Sequence, residues 1–454
     1  MGRILKTAVA LLGVLLLAGP ALGRHAEPPA SASAGAGLPA FPDAQGWAAL
    51  TPGGRGGRII RVTTLAGDGP GSFREAVSAK GRRIVVFEVG GVIDLERRTI
   101  KVTEPYLTIA GQTAPSPGVT FIKGGFDIAT HDVIVQHLRI RPGEAGQPKK
   151  SGWNEDGIST VAARDVIVDH CTLTWATDEN LSASGPRFTG KTPDDWRRGT
   201  SHRITFSNNI IGEGLARSTH DKLEHSKGSL IHDNVSDLLI VGNLYAHNYE
   251  RNPHFKGGVR GVLVNNLIYD PGPRAVHYNL QGEEWGRQPF QTGRMTAVGN
   301  VLRAGPSTPD PIAFLMIGGD GDLDFHGRDN LAVDRIGRPL PMLGRYTTSR
   351  ARIVERDAPL DWPKGLQAIP AAEVERHVLG QAGARPWDRD RDDIRLIADV
   401  AEGRGEIIDS EQQIHGYPVQ KPTRRAFDPA DWDLRFMTPR RPEVLDSGAS
   451  ARGT

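Results

Sequence analysis

A single cysteine, Cys171, in a chain of 454 residues excludes any intramolecular disulfide. The fold must therefore be held by its core or by bound metal ions. Apolar runs long enough to cross a bilayer as a helix are also missing. The run from Ala8 to Leu17 is short; it follows Met1-Gly2-Arg3-Ile4-Leu5-Lys6 and precedes Ala18-Gly19-Pro20-Ala21-Leu22-Gly23. A basic head, a short apolar middle and a small-residue exit read as a secretory signal over residues 1–23, with cleavage expected near Gly23 or Ala26. Export to the periplasm or the medium is the expected localisation, with no membrane association after signal removal. Residues 24–40, rich in Ala, Ser, Pro and Gly, read as a flexible lead-in. An excess of one charge sign is lacking as well, since 55 Lys and Arg face 53 Asp and Glu. That argues against nucleic acid as a main partner. It leaves an acidic polymer as partner only where basic residues are locally focused.

Long amphipathic helices are scarce, and short β-branched runs recur in their place. Examples are Ile84 to Val89, Leu107 to Ala110, Val133 to Ile140, Val166 to Leu173, Ile204 to Ile211, Leu238 to Leu244, Val262 to Ile268 and Met295 to Val301. Most consist of an apolar run, a polar bend and a second apolar run. The bends place His137, His170, Asn209, Asn243, Asn266 and Asn300 at corresponding points. Asn tolerates left-handed backbone and bonds through its side chain, so stacked coils would align these residues rung by rung. The interval is that of a solenoid turn. The reading is all-β: a right-handed parallel β-helix over residues 41–350. An antiparallel sandwich also has many short strands, but these runs are not joined by two-residue Asn-Gly or Asp-Gly turns. Ser72-Phe73-Arg74-Glu75-Ala76-Val77 predicts a short helix, with Ser72 as N-cap and Glu75 completing a capping box, that closes the open end. Residues 351–454 lose the rhythm and read as an irregular tail on the solenoid flank, with helices opening at Pro370-Ala371 and spanning Asp392 to Glu402. Cys171 reads as a small buried apolar group.

Charged residues cluster at a few bends. Arg251-Asn252-Pro253-His254-Phe255-Lys256 sets two cations around a proline that restricts its own φ and that of Asn252. Taken alone, that is a surface arginine in a turn. Asn154-Glu155-Asp156 precedes one coil and Thr177-Asp178-Glu179 follows it. Coils stack about one strand spacing apart, so Asp156 and Asp178 can converge on a hard cation such as Ca²⁺; solvated loop acids are the plainer alternative. Lys227 immediately precedes a coil as Arg251 follows one. His220 and His225 offer a pair of bases or nothing beyond loop histidines.

Four stretches together make the chain resemble the pectate lyases of polysaccharide lyase family 1. They are Phe41-Pro42-Asp43-Ala44-Gln45-Gly46 with Gly53-Gly54-Arg55-Gly56-Gly57 and Gly69-Pro70-Gly71-Ser72-Phe73-Arg74-Glu75-Ala76; Leu107 to Pro115; Asp156-Gly157-Ile158 leading to Val168-Asp169-His170-Cys171; and Arg251-Asn252-Pro253. The resemblance implies a right-handed β-helix and Ca²⁺-assisted eliminative cleavage of polygalacturonate by a monomer. It makes Arg251 the base that removes the C5 proton and Lys227 a binder of the substrate carboxylate. Lys256 stands where the family has a second, substrate-binding arginine. Asp156 and Asp178 match calcium ligands. Asn154 stands where some members have an aspartate, and Ser182 where many have another, with Glu155 or Glu179 as compensating acids. Two other readings keep the scaffold: a hydrolase or lyase of another acidic glycan, the hydrolase with paired carboxyl groups drawn from Asp178, Glu179 and Asp156, and a non-catalytic glycan-binding solenoid.

Overall fold

A computed structural model describes residues 37–225 and 227–446; the expected signal segment lies outside the described residues. Each turn of the chain contributes one strand to each of three sheets, of eleven, ten and nine strands. One coil runs His131–Gln136, Arg139–Arg141, Ile158–Val161, and the next runs Arg164–Asp169, Thr172–Thr174, Leu181–Ser184. His131–Gln136 and Arg164–Asp169 are parallel neighbours in the eleven-stranded sheet. Arg139–Arg141 and Thr172–Thr174 pair in the ten-stranded sheet. Ile158–Val161 and Leu181–Ser184 pair in the nine-stranded sheet. The fold is the expected parallel β-helix.

Alternation along each strand turns every second side chain into the coil. Val166, Val168, Ile204, Phe206, Leu238 and Ile240 from the first sheet meet Ile158, Leu181, Phe255, Val276 and Leu315 from the nine-stranded sheet in one continuous core. The eleven-stranded sheet is also apolar on its outside. Its outer Leu239, Val262 and Val264 lie under Trp47, Trp362 and Leu366, and its outer Ile134 and Ile167 lie under Ala40 and Ala48. The outside of the ten-stranded sheet, through Ile210, Leu244, Leu267 and Val301, is covered by Val374, Val378, Leu396 and Val400. These come from the tail helices Ala371–Gln381 and Arg391–Glu402. Buried Arg139 and Arg141 tie the same helix start down through Asp390, Asp392 and Asp393. The nine-stranded sheet differs: its outward positions include Ser159, Ser182, His254, Lys256, His277 and Asn279, and no apolar cluster covers them among the described residues.

The helix Phe73–Ser78 plugs the N-terminal mouth, with Phe73 packed on Phe87, Phe121 and Phe126. Ser72 accepts from Glu75 N as expected of an N-cap, but the Glu75 carboxylate takes the N–H of Gly71, one residue before the cap. The reciprocal half of the box is thus displaced. Tail strand Thr423–Arg424 pairs antiparallel with Val89–Asp94 and closes that sheet edge.

The polar bends form an amide ladder with a register the sequence reading misplaced in part. Asn209, Asn243, Asn266, Asn300 and Asn330 stack, each Oδ1 accepting from the backbone N–H of the residue on the preceding coil, Cys171 in the case of Asn209. His137 and His170 are one place earlier, at the left-handed position shared with Asn208, Gly242, Asn265 and Gly299. The ladder position on their coils is Leu138 and Cys171, both buried. Cys171 is the small apolar group expected, its thiol pushed up to about 12 by burial.

Candidate active site

Each strand of the uncovered sheet is entered by a loop returning from the ten-stranded sheet, and those entry points carry the charges. The register carried back from Ile158↔Leu181, Leu230↔His254 and His254↔His277, with the Glu179↔Lys227 bridge, aligns Asp156, Glu179, Lys227, Arg251 and Arg274 in one column, one residue per coil. Neighbours in such a column are about 4.8 Å apart along the solenoid. Two glycines let the coils close here. A Cβ on Gly157 would stand 2.3 Å from the carbonyl oxygen of Asn180, and one on Gly228 would stand 2.4 Å from that of Arg251.

The acidic end of the column is crowded. Asp156, Asp178 and Glu179 each bring a carboxylate oxygen within 4.8 Å of the others. Burial, and then the charge of Asp178, raise the Asp156 carboxyl well above the ordinary carboxylate range. Asp156 Oδ1 accepts the Glu179 N–H at 2.9 Å. Burial also works to raise Asp178, but a hydrogen bond from His225 and the charges of the two histidines and Arg251 hold it below the ordinary value. Three converging oxygens at this spread suit an ion that takes about 2.3–2.6 Å bonds to oxygen, and a cation would relieve the repulsion that Asp156 registers. These residues fit calcium. Asn154 is exposed on the approach to the strand. Glu155 is buried and spent on Thr99 Oγ1 and Gly125 N, at 2.7 and 2.8 Å. Ser182 faces out one strand position further on, accepting from Leu230 N.

The basic end is held by burial and by acids. Arg251 pairs with Glu179. Burial pulls its guanidinium below the ordinary value, against Asp178 and Asp156, which raise it. Its φ of 63° is left-handed, as at the ladder turns, so that geometry is the turn device of the fold and no mark of the site; the Asn252–Pro253 peptide is cis. Lys227 Nζ lies 3.5 Å from Glu250 Oε2 and 4.5 Å from the Tyr249 ring centre. Burial, then Arg274, lower the amine to about 8. Arg274 pairs with Glu250 and lies over the Tyr346 ring. Lys256 is on the same outer face but outside the column. It pairs with Glu284 and lies 3.8 Å from Asp233 Oδ2. Both acids also bind Arg187.

Sequence reasoning missed Arg274, Asp127 and the outward pair His254 and His277. The histidine rings stack with centres 4.0 Å apart, and both are pushed well below the ordinary imidazole value by burial and by Arg251 among other charges. Asp127 aligns with Ser159 on the next strand, its carboxyl raised by burial. Register was the only signal available for these, and it needed the short strands of the uncovered sheet. His220 and His225 both turn to Asp178: His225 Nε2 is 2.9 Å from Oδ1 and His220 Nε2 is 3.8 Å from Oδ2. A 490 Å³ cavity lined by Thr113, Phe427 and Trp432 shares no residue with this site.

No protein-family model matches the sequence. Curated relatives do. "Probable pectate lyase C" of Aspergillus terreus is 34% identical over 386 residues, which cover 84% of this chain and 81% of the relative. The protein of the same description from Neosartorya fischeri is 32% identical over 386 residues, with the same coverage. Among solved structures, the major cedar pollen allergen Jun a 1 superposes with a TM-score of 0.52 at 14% identity, over 75% of this chain and 92% of the allergen, which is a likeness of fold. Among the described residues no helix is long and apolar enough to cross a membrane. With a third of its residues shared along four-fifths of the fungal enzymes, and with the solenoid and charged column described above, the chain belongs to the pectate lyase family.

Proposed function

We propose that the protein is a secreted lyase that cleaves α-1,4-linked galacturonan by β-elimination, with Arg251 as the base. The observation that carries this reading is the column itself: a half-buried guanidinium flanked one coil away by a buried lysine, beside three convergent carboxylates. The proton α to a uronate carboxylate leaves only if the enediolate charge that develops is neutralised. Lys227, charged below about pH 8, binds and orients that carboxylate, and Arg274 extends the same basic row by one coil. Asp156, Asp178 and Glu179 would hold Ca²⁺, which supplies positive charge opposite the carboxylate when bound. Arg251 then meets C5 from the coil beside Lys227. An arginine is charged in water at any ordinary pH, and burial is the influence that favours its neutral form here. Glu179, Asp178 and Asp156 oppose this, and a cation held by these carboxylates would weaken their opposition. Lys256, already neutralised by Glu284, contributes a more distant contact to the substrate. The hydrolase alternative has no use for an arginine within the column.

The test is turnover of polygalacturonate followed by the near-ultraviolet absorbance of the unsaturated product, with and without chelator. A rising signal that chelator abolishes is expected. Reducing ends without absorbance would mean hydrolysis, and binding without either would mean a glycan-binding solenoid.

A further inference from the structure

Asp178 belongs to two clusters. One is the oxygen set with Asp156 and Glu179. The other is Asp178, His220 and His225, whose ligand atoms also fall within 4.8 Å of one another. In the second, the two imidazoles stack with centres 3.9 Å apart and planes 28° apart, so that each presents Nε2 to a different oxygen of one carboxylate. His220 and His225 are both largely buried. Behind the first ring, His220 Nδ1 lies 2.9 Å from Asp221 Oδ1. Nδ1 accepts the Lys222 N–H at 3.1 Å, which leaves the ring proton on Nε2, 3.8 Å from Asp178 Oδ2; an ion at Nε2 would move that proton to Nδ1, where Asp221 Oδ1 can accept it. Bonds of about 2.0–2.2 Å from an ion to imidazole nitrogen and to carboxylate oxygen span that distance. A carboxylate behind a ligating histidine is the usual support for such an ion.

We infer that Asp178, His220 and His225 form a second cation site, selective for a borderline transition-metal ion of the Zn²⁺ type. Two imidazoles and one carboxylate suit Zn²⁺, Ni²⁺ or Co²⁺ and are a poor set for Ca²⁺, which takes oxygen. Three protein ligands leave a coordination position open. Because Asp178 is common to both sets, it either bridges the two ions or is contested by them, and Zn²⁺ then alters Ca²⁺ affinity through this residue. The assignment is independent of the lyase reading, since it concerns binding of an ion and not turnover.

The experiment is calorimetric titration of the chelator-stripped full chain with Zn²⁺ alone, with bound metal counted by elemental analysis. One equivalent is expected. His220→Ala and His225→Ala each abolish stoichiometric binding, Asp221→Asn weakens it by about 10- to 100-fold, and Asp156→Asn leaves it intact while losing Ca²⁺. Thermal unfolding of each variant establishes that it is folded; His225→Gln, which keeps a hydrogen bond to Asp178, replaces His225→Ala if that variant is not. Wild-type protein that takes up no equivalent, histidine variants that bind as the wild type does, or Zn²⁺ lost in Asp156→Asn but kept in the histidine variants would each overturn the assignment.

Discussion

The solenoid stacks polar side chains on two of its edges, and the two stacks solve opposite problems. At the bend between the eleven- and ten-stranded sheets, Asn209, Asn243, Asn266, Asn300 and Asn330 repeat one residue type. Each amide accepts from one rung and donates to the next, so burial costs little because every group is satisfied. At the entry to the nine-stranded sheet, Asp156, Glu179, Lys227, Arg251 and Arg274 occupy one column but share neither type nor charge. Their groups satisfy one another only in part: Arg251 pairs with Glu179, but Asp156 is raised by burial and by Asp178, and Lys227 is lowered by burial and Arg274. A repeat that satisfies itself can stay uniform. A column that must meet a ligand gives up uniformity and holds its charges at a cost.

The largest effect separating the two is kinetic. Arg251→Ala is expected to lower turnover of polygalacturonate on the order of 10²- to 10⁴-fold, with a melting temperature near that of the parent. Arg251→Lys tests the base assignment without losing the charge. Near-parental rates in both would remove Arg251 from the chemistry and leave it a structural partner of Glu179.

On the ladder the loss is thermodynamic. Asn243→Asp puts a carboxylate among acceptors, since Asn243 Nδ2 donates to Phe206 O, Val241 O and Asn266 Oδ1. An uncompensated buried charge is worth about 3–5 kcal/mol. Asn243→Ala, which leaves donors and acceptors unpaired, costs about 1–3 kcal/mol. Chemical denaturation of the two variants gives the order. A ladder that tolerated the aspartate as well as the alanine would mean the rungs are not the closed system drawn here.

This contrast also explains what could be read from the sequence. The eleven-stranded sheet is apolar on much of both faces, so runs such as Val166 to Val168 and Leu238 to Val241 are continuous and visible. The ladder repeats Asn, and only its first two places were misassigned, because His137 and His170 are polar while the true rungs there, Leu138 and Cys171, are not. The nine-stranded sheet bears the site on an uncovered face. Its strands are short and half polar, as in Leu181–Ser184, Leu230–Ile231 and His254–Lys256, and hydrophobic pattern did not reveal them. Arg251, Lys227, Asp156 and Asp178 were legible through the family resemblance. Arg274, His254 and His277 follow from register alone, and the turn of His220 and His225 toward Asp178 depends on a loop whose path no local pattern dictates.

A smaller effect has the opposite sign on the two edges. Asp156 has a folded pKa above its unfolded one, so the native state binds more protons across the interval between them and stability falls as pH rises through it. Asp156→Asn, which keeps an oxygen for the Glu179 N–H, is therefore expected to raise the melting temperature at neutral pH in chelator. A rise of about 1–3 °C is the scale for a gain near 1 kcal/mol in a chain of this size. Any ladder substitution lowers it. A lowered melting temperature in Asp156→Asn would mean that the acidic cluster is a structural network like the ladder.

The smallest effect is a pH dependence confined to the charged column. Lys227 is charged below about 8 and neutral above it, because burial and Arg274 lower its pKa. Its hold on a substrate carboxylate therefore weakens as pH rises through that value, and KM should increase by about tenfold, the worth of a hydrogen bond to a charged group. Lys227→Arg keeps its charge and should hold KM level through the same interval, while Lys227→Ala should give a KM that is high at every pH. The stability lost in Asn243→Ala should not change over this interval, because amides do not titrate. If KM in Lys227→Arg still climbed near pH 8, the titrating group would lie elsewhere on the face, and the division between a neutral ladder and a charged column would have to be redrawn around that group.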